Sequence, residues 1–282
     1  EGVIDTSTQF RCGYTYYNAD MPDFHPLCMG THGYLNVIEA LTVSCNIFFY
    51  DTGYNLGIDN MNLYQRKLGL GELTGVEIYE SDGTLAGPDE KEDWYGGDTI
   101  MAAIGQSDNL ITPVQLATYA ATIANNGTRL RTHVVDKITD YSRQTVLEET
   151  KPEVVEENIF DQEVLETVKG AMRNVVTSPS GTGYYSYGSY EIPIAAKTGT
   201  AQTYLPNSNE YDVDNITLIA YAPYDNPQFA MCVCVEEGGS GGSVAAPLAG
   251  QIMDAAIQSA AGTLEEDMST IAATEVSVGG SN

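Results

Sequence analysis

Cations are scarce in this chain. Its 282 residues carry 12 lysines and arginines against 39 aspartates and glutamates, a formal charge of −27. A surface of that sign repels phosphate backbones, and no Lys/Arg cluster offsets it, so nucleic-acid binding is excluded. Most of the acidic excess reads as solvated surface. Long apolar runs are missing too. None approaches the ~18 residues that span a bilayer, and no basic stretch followed by an apolar one opens the chain as in a secretory leader. The start at Glu1, without Met, fits a mature or excised fragment whose anchor or leader would lie outside these residues. There is no C-x-x-C pair and no internal repeat.

What is there suffices for a folded enzyme-sized unit. Hydrophobic residues make up 43% and charged residues 18%, which allows a buried core in one large domain or two modest ones. Five cysteines remain to be placed. Cys232 and Cys234, two apart on an expected strand, share a face and read as core. Cys12, His25, Cys28 and His32 fall within 21 positions. A zinc site there would need all four to converge, and C-x15-C is not the spacing of a known finger. A Cys12–Cys28 disulfide is favoured over zinc in an oxidising compartment, and two unpaired thiols are the default. No metal and no cofactor is assigned.

Along the chain, residues 1–35 read as irregular hairpin and loop. Asn36 can cap a helix from Val37 to about Tyr54. Ser44-Cys45-Asn46 sits inside it, and Ser44 and Asn46, two apart, do not share a helical face. A second helix is expected over Met61–Leu68, then a Gly- and acid-rich excursion over 71–98. Thr112-Pro113 is a strong helix start, the helix running to Ala124 and stopping at Asn125-Asn126-Gly127. The pattern then predicts a strand over 130–138, an acidic connection over 144–160 and a helix over Glu163–Val175. Residues 178–189 read as flexible. Strands over Ile216–Ala222 and Gln228–Val235 and a helix from Val244 to about Ala260 complete an α+β plan. Residues 1–260 make the domain, and 261–282 a mobile tail.

Two stretches carry possible chemistry. Ala195-Ala196-Lys197-Thr198-Gly199-Thr200 places a lysine and two hydroxyls on a strand edge, with Gly199 leaving the backbone open to a ligand. Unpaired strand N–H groups there could take up an extended peptide. Gly238-Gly239-Ser240-Gly241-Gly242 matches the G-x-S-x-G elbow of hydrolases, which requires a later histidine. His25, His32 and His133 all precede it, so it reads as a flexible turn.

Ser44-x-Asn46 and Lys197-Thr198-Gly199 are two of the three motifs by which penicillin-binding proteins and serine β-lactamases are recognised. His32-Gly33, Ala103-Ile104-Gly105-Gln106, Leu110-x-Thr112-Pro113-x-Gln115, Ala124-Asn125-Asn126-Gly127 and Tyr221-Ala222-Pro223 extend the likeness over residues 1–260. The chain resembles the transpeptidase domain of class B penicillin-binding proteins. The resemblance implies an antiparallel sheet flanked by helices with a largely helical subdomain. It also implies acyl transfer from D-Ala-D-Ala stem peptides of peptidoglycan through a serine acyl-enzyme, at which β-lactams stop. By the same resemblance, Ser44 relays a proton to the leaving amine and Asn46 binds the substrate amide. Lys197 acts beside Ser44, and Thr198 with Thr200 binds the substrate carboxylate. The Thr200 N–H shares the oxyanion hole with the N–H of the nucleophile. Residues 184–190 and 201–215 would border the cleft. The implied setting is the extracytoplasmic side of a bacterial membrane, reached through a segment absent here, with cell-wall synthesis proteins as partners.

One departure stands out. The family's nucleophile is the serine of S-x-x-K, and the residues three before the six lysines are Tyr64, Pro88, Val134, Glu148, Glu166 and Ile194. None is a serine. The expectation is truncation just downstream of that motif, leaving this fragment inactive. Two alternatives are a non-catalytic scaffold that recognises peptidoglycan or its machinery, and a β-lactam sensor or hydrolase of the same fold, for which no deacylating base is assignable.

Overall fold

The computed structural model describes residues 1–188, 190–202, 214–238 and 244–261. Its centre is an antiparallel sheet of β7 (Ala195–Ala201), β8 (Asn215–Ala222) and β9 (Phe229–Val235), in that order. Alternation along these strands sends successive side chains to opposite faces. Leu218 and Ala220 turn towards Ala246, Ala249 and Met253 of the last helix, α8 (Ala245–Ala260). Ala195, Ile219 and Tyr221 turn the other way, onto α5 (Pro113–Ala124) and α6 (Gln162–Thr177). Ile194, Ile216 and Leu218 are fully buried, each worth about 1.5–3 kcal/mol in transfer from water. The expected α+β architecture is the observed one.

The mostly helical part has a separate core. β1 (Phe10–Cys12) pairs antiparallel with β2 (Gly33–Leu35). Behind them lie α1 (Val37–Val43), α2 (Asn46–Leu56), α3 (Ile58–Lys67) and α4 (Gly96–Ala102). Phe48, Tyr50 and Ile100 are buried with Tyr16 and three cysteines. Asn36 caps α1 as expected, and a reciprocal bond from the Asn36 N–H to the Glu39 carboxylate completes the capping box. Thr112 caps α5 the same way with Gln115, and Pro113 occupies the first turn.

Several expectations change. The single helix expected over 37–54 is two, broken at Ser44. The strand expected over 130–138 is two short pieces, β3 (Arg129–Leu130) and β4 (Lys137–Thr139). Residues 144–160 are not a plain connection, because β5 (Val146–Glu149) pairs with β4 and β6 (Val154–Glu156) pairs with β3. Acidic residues on both exposed faces hide that pairing from a hydrophobic pattern. The stretch read as flexible contains a helical turn, α7 (Tyr184–Tyr187). Cys232 and Cys234 do share a face, their sulfurs 3.5 Å apart, yet Cys234 is exposed. Most of the segment 201–215, most of the glycine-rich turn at 238–242 and nearly all of the tail from 261 fall outside the described residues. Among the described residues, no helix is long and apolar enough to cross a membrane.

Candidate active site

Ser44 sits at the helix break. α1 stops at Val43, Ser44 adopts left-handed backbone (φ 57°, ψ 50°), and Cys45 is extended before α2 begins. Such a backbone is costly for a residue with a Cβ. It is held by the N–H groups of Ser44 and Cys45, which donate to the carbonyls of Leu41 (3.3 Å) and Ala40 (2.8 Å). The kink frees Ser44 and Asn46 from the helical spacing that would turn them apart.

Lys197 approaches from the sheet. It is the third residue of β7, on the same face as Ala195, which packs on α6. Arg173 of α6 donates to the Ile194 carbonyl at 2.6 Å and pins the start of β7. α6 lies against α1 as well as β7, so it holds the two carriers at one spacing. Lys197 Nζ then donates to Ser44 Oγ at 2.9 Å, across 153 positions of sequence. A second bond goes to the Thr198 carbonyl. Burial disfavours the ammonium and pulls the lysine down to about 8.

The other expected residues follow from these two. Asn46 opens α2, and its Nδ2 donates to the Leu27 carbonyl at 3.2 Å, which leaves Oδ1 as the atom to receive a ligand N–H. Thr198 and Thr200 share the face of β7 opposite Lys197. Thr198 is buried, its hydroxyl 2.7 Å from that of Thr182. Gly199 pairs with Thr217 of β8, and a Cβ on it would meet Thr217 Oγ1 at 2.4 Å. The glycine therefore makes room for a neighbouring side chain, a reason distinct from ligand approach. β7 is an outer strand of the described sheet, with alternate N–H and C=O groups turned outward, the template an extended peptide pairs with.

In the tyrosine-rich stretch, two rings turn towards the last helix. Tyr187 and Tyr190 hydrogen-bond the carbonyls of Ala246 and Gly250 on α8, since buried phenols seek polar partners. They serve the core. Tyr185 remains exposed.

A thiol cluster adjoins the site. Ligand atoms of Cys12, Cys28, His32 and Cys45 all lie within 4.8 Å of one another. His25 is not among them, for its ring packs against Tyr17 at 4.7 Å, and Cys45 takes the fourth place. No Cys12–Cys28 disulfide forms, and all five thiols are free. Instead Cys12 and Cys28 both turn towards His32 Nδ1, at 3.5 and 3.6 Å, and Cys28 lies 3.9 Å from Cys45. A tetrahedral zinc with Zn–S of about 2.3 Å and Zn–N of about 2.0 Å sets its ligand atoms roughly 3.6–3.8 Å apart. The donor set and these three edges fit that ion. The contact between the Cys28 and Cys45 sulfurs holds the Cys28 thiol well below its usual range and, with burial, raises that of Cys45, so one sulfur of the cluster already favours the thiolate that a metal needs. Cys45 does not stand out in the sequence because it reads as the spacer of Ser-x-Asn. Thr182 does not stand out either, because Gly and Ser surround it.

Comparison with known proteins identifies the family and the fold. The family model of the penicillin-binding protein transpeptidase domain matches residues 1–254. Peptidoglycan D,D-transpeptidase MrdA of Haemophilus influenzae is 33% identical over 272 residues, covering 90% of this chain and 41% of the relative. This chain thus spans less than half the length of that relative. The crystal structure of Pseudomonas aeruginosa PBP2 in complex with WCK 5153 superposes with a TM-score of 0.79 at 27% identity, over 95% of this chain and 57% of the other. A chain from a structure of a peptidoglycan synthase complex, described as coordinating polymerization and crosslinking, has a TM-score of 0.76 at 28% identity, over 89% of this chain and 42% of its own. With nine-tenths of its residues under one family model and both motif-bearing walls joined at a single hydrogen bond, the chain belongs to the penicillin-binding protein transpeptidase domain family.

Proposed function

We propose that this chain is the larger part of a D,D-transpeptidase domain that cross-links peptidoglycan by acyl transfer. The observation that carries the reading is the 2.9 Å bond from Lys197 Nζ to Ser44 Oγ. A stem peptide ending in D-Ala-D-Ala lies along β7, its terminal carboxylate on the hydroxyls of Thr198 and Thr200 and an amide on Asn46. A serine attacks the penultimate carbonyl, its proton passing to the lysine of the same S-x-x-K motif, and the N–H of Thr200 with that of the serine holds the oxyanion. Collapse expels the terminal D-Ala as an amine. Ser44 gives its proton to that amine and is resupplied by Lys197, which is still protonated below pH about 8. An amine from a neighbouring strand then takes the acyl group and returns its proton through Ser44 to Lys197, while the motif lysine gives its proton back to the released serine. β-Lactams follow the first half and stop at the acyl-enzyme.

The nucleophile is not among these 282 residues, since no serine has a lysine three places on. It would lie on another part of the parent protein, together with a membrane anchor that sets the domain on the extracytoplasmic face. Cell-wall synthesis proteins are the partners, a view supported by the neighbour taken from a synthase complex. Cys12, Cys28, His32 and Cys45 would hold a zinc ion. Four protein ligands leave no open position, so the ion would brace the fold and take no part in the chemistry. It would secure Cys45 and with it the kink between Ser44 and Asn46.

Intact mass after incubation with a penicillin tests the reading, on this chain and on one extended by about 30 residues upstream, enough for a helix and its approach. An adduct on the extended chain only is the expected result. An adduct on both would mean a nucleophile within these residues. None on either would leave a scaffold that recognises peptidoglycan or its machinery.

A further inference from the structure

Thr182 bonds to both motif-bearing elements, α1 and β7, although it belongs to neither motif. It lies on the turn leaving α6, between Gly181 and Gly183, both buried while Thr182 is exposed. Gly181 has no room for a side chain: a Cβ there would stand 2.2 Å from the Val175 carbonyl oxygen and 2.7 Å from that of Asn174. The Gly183 N–H donates to the same Val175 oxygen at 3.0 Å. The turn is therefore set by backbone contacts on either side, and Thr182 is presented from a rigid base. Its N–H points at the Thr42 carbonyl, 3.4 Å away in the last turn of α1 and two residues before Ser44. Its hydroxyl lies 2.7 Å from Thr198 Oγ1 on β7.

We propose that Thr182 is a positioning residue for substrate recognition, donating its hydroxyl proton to Thr198 Oγ1 so that the Thr198 proton faces the substrate carboxylate. This rests on the function proposed above. Each threonine hydroxyl has one proton to donate and can accept as well. In a bonded pair one proton is shared and one is left over. An anion beside Thr198 takes the leftover proton only when Thr182 is the donor within the pair. Aligned in that order, each bond polarises the next, and the terminal bond to the carboxylate is charge-assisted. Without Thr182 the Thr198 hydroxyl is free to rotate, and its proton must be oriented by the ligand alone.

The test uses the full-length protein with its own nucleophile, comparing wild type, Thr182→Val and Thr182→Ser. Stopped-flow acylation by a carboxylate-bearing penicillin separates the dissociation constant of the non-covalent complex from the limiting acylation rate. Thr182→Val, nearly isosteric but without the hydroxyl, should weaken the non-covalent complex about tenfold, the scale of one hydrogen bond to a charge, with the limiting rate unchanged. Thr182→Ser should restore wild-type binding. A slower limiting rate in Thr182→Val would show a tie between α1 and β7 and no part in carboxylate binding. Unchanged binding in Thr182→Val, or no rescue by serine, also overturns the assignment. Wild type that is not acylated removes the parent reading and this one with it.

Discussion

Lys197 Nζ donates to Ser44 Oγ at 2.9 Å, from the third residue of a sheet strand to the residue that breaks a helix. The lysine is drawn out of water to make that bond, and its burial is what lowers it to about 8. A cation held this way costs the fold stability while it serves the site.

Lys197→Met should therefore raise Tm and abolish acylation of the full-length protein, a trade common at functional sites. The pH dependence gives the sign. An unfolded lysine keeps its proton up to about 10.4, while the folded one releases it near 8. Between those values the unfolded state binds more protons, so stability rises with pH through that window. The penalty is full below pH about 8 and gone above about 10.4. The Tm gap between Lys197→Met and wild type should be largest near neutrality and close as the pH rises through the window. A gap that stays constant would mean that the lysine is not desolvated in the fold.

How much of this was legible beforehand depended on the kind of pattern. Asn36 and Thr112-Pro113 announced their helices because capping chemistry is local, and both capping boxes form. The nearly continuous apolar run of β8 marked it as a strand, and it is buried on both faces. The break at Ser44 did not show, because apolar periodicity runs on through 37–54 and the left-handed turn is made by backbone bonds to Leu41 and Ala40. The fourth member of the thiol cluster was hidden for another reason. His25 is nearer in sequence, but Cys45 reaches the cluster through the fold of α2 onto β1.

Metal content should separate those two residues. The purified chain should carry about one zinc, by elemental analysis, and Cys45→Ser should lose it while His25→Ala keeps it. A chelator should lower Tm of the wild type and leave that of the zinc-free Cys45→Ser chain unmoved, since binding to the folded state alone stabilises it. Zinc retained in Cys45→Ser and lost in His25→Ala would restore the set first suggested by spacing.

Gly199→Ala should destabilise the sheet edge by roughly 1–3 kcal/mol, the usual cost of overpacking. The added Cβ would fall 2.4 Å from Thr217 Oγ1 on the paired strand, so the strands must separate or Thr217 must turn. Thr217→Ala in the same chain should recover most of the loss, a coupling that a double-mutant cycle by denaturant melts would read. If the pair is simply additive, Thr217 is not the reason for the glycine.

Gln115 belongs to the Leu-x-Thr-Pro-x-Gln motif, yet its contacts are those of a fold anchor. Fully buried, its Nε2 donates to the carbonyls of Glu72 and Asp82, both at 2.7 Å. Its Oε1 accepts from the Thr112 N–H at 2.9 Å. One side chain so ties the excursion of residues 71–98, otherwise poor in regular structure, to the first turn of α5. Gln115→Leu keeps much of the volume and leaves two carbonyls without that donor, which should cost roughly 2–4 kcal/mol. Gln115→Glu should be worse at neutral pH, where a carboxylate would face the same two oxygens, and milder in acid, where the neutral carboxyl can donate again. Urea melts of both variants at two pH values check this. A Gln115→Glu chain no less stable at neutral pH than in acid would show that the two carbonyls do not depend on this donor.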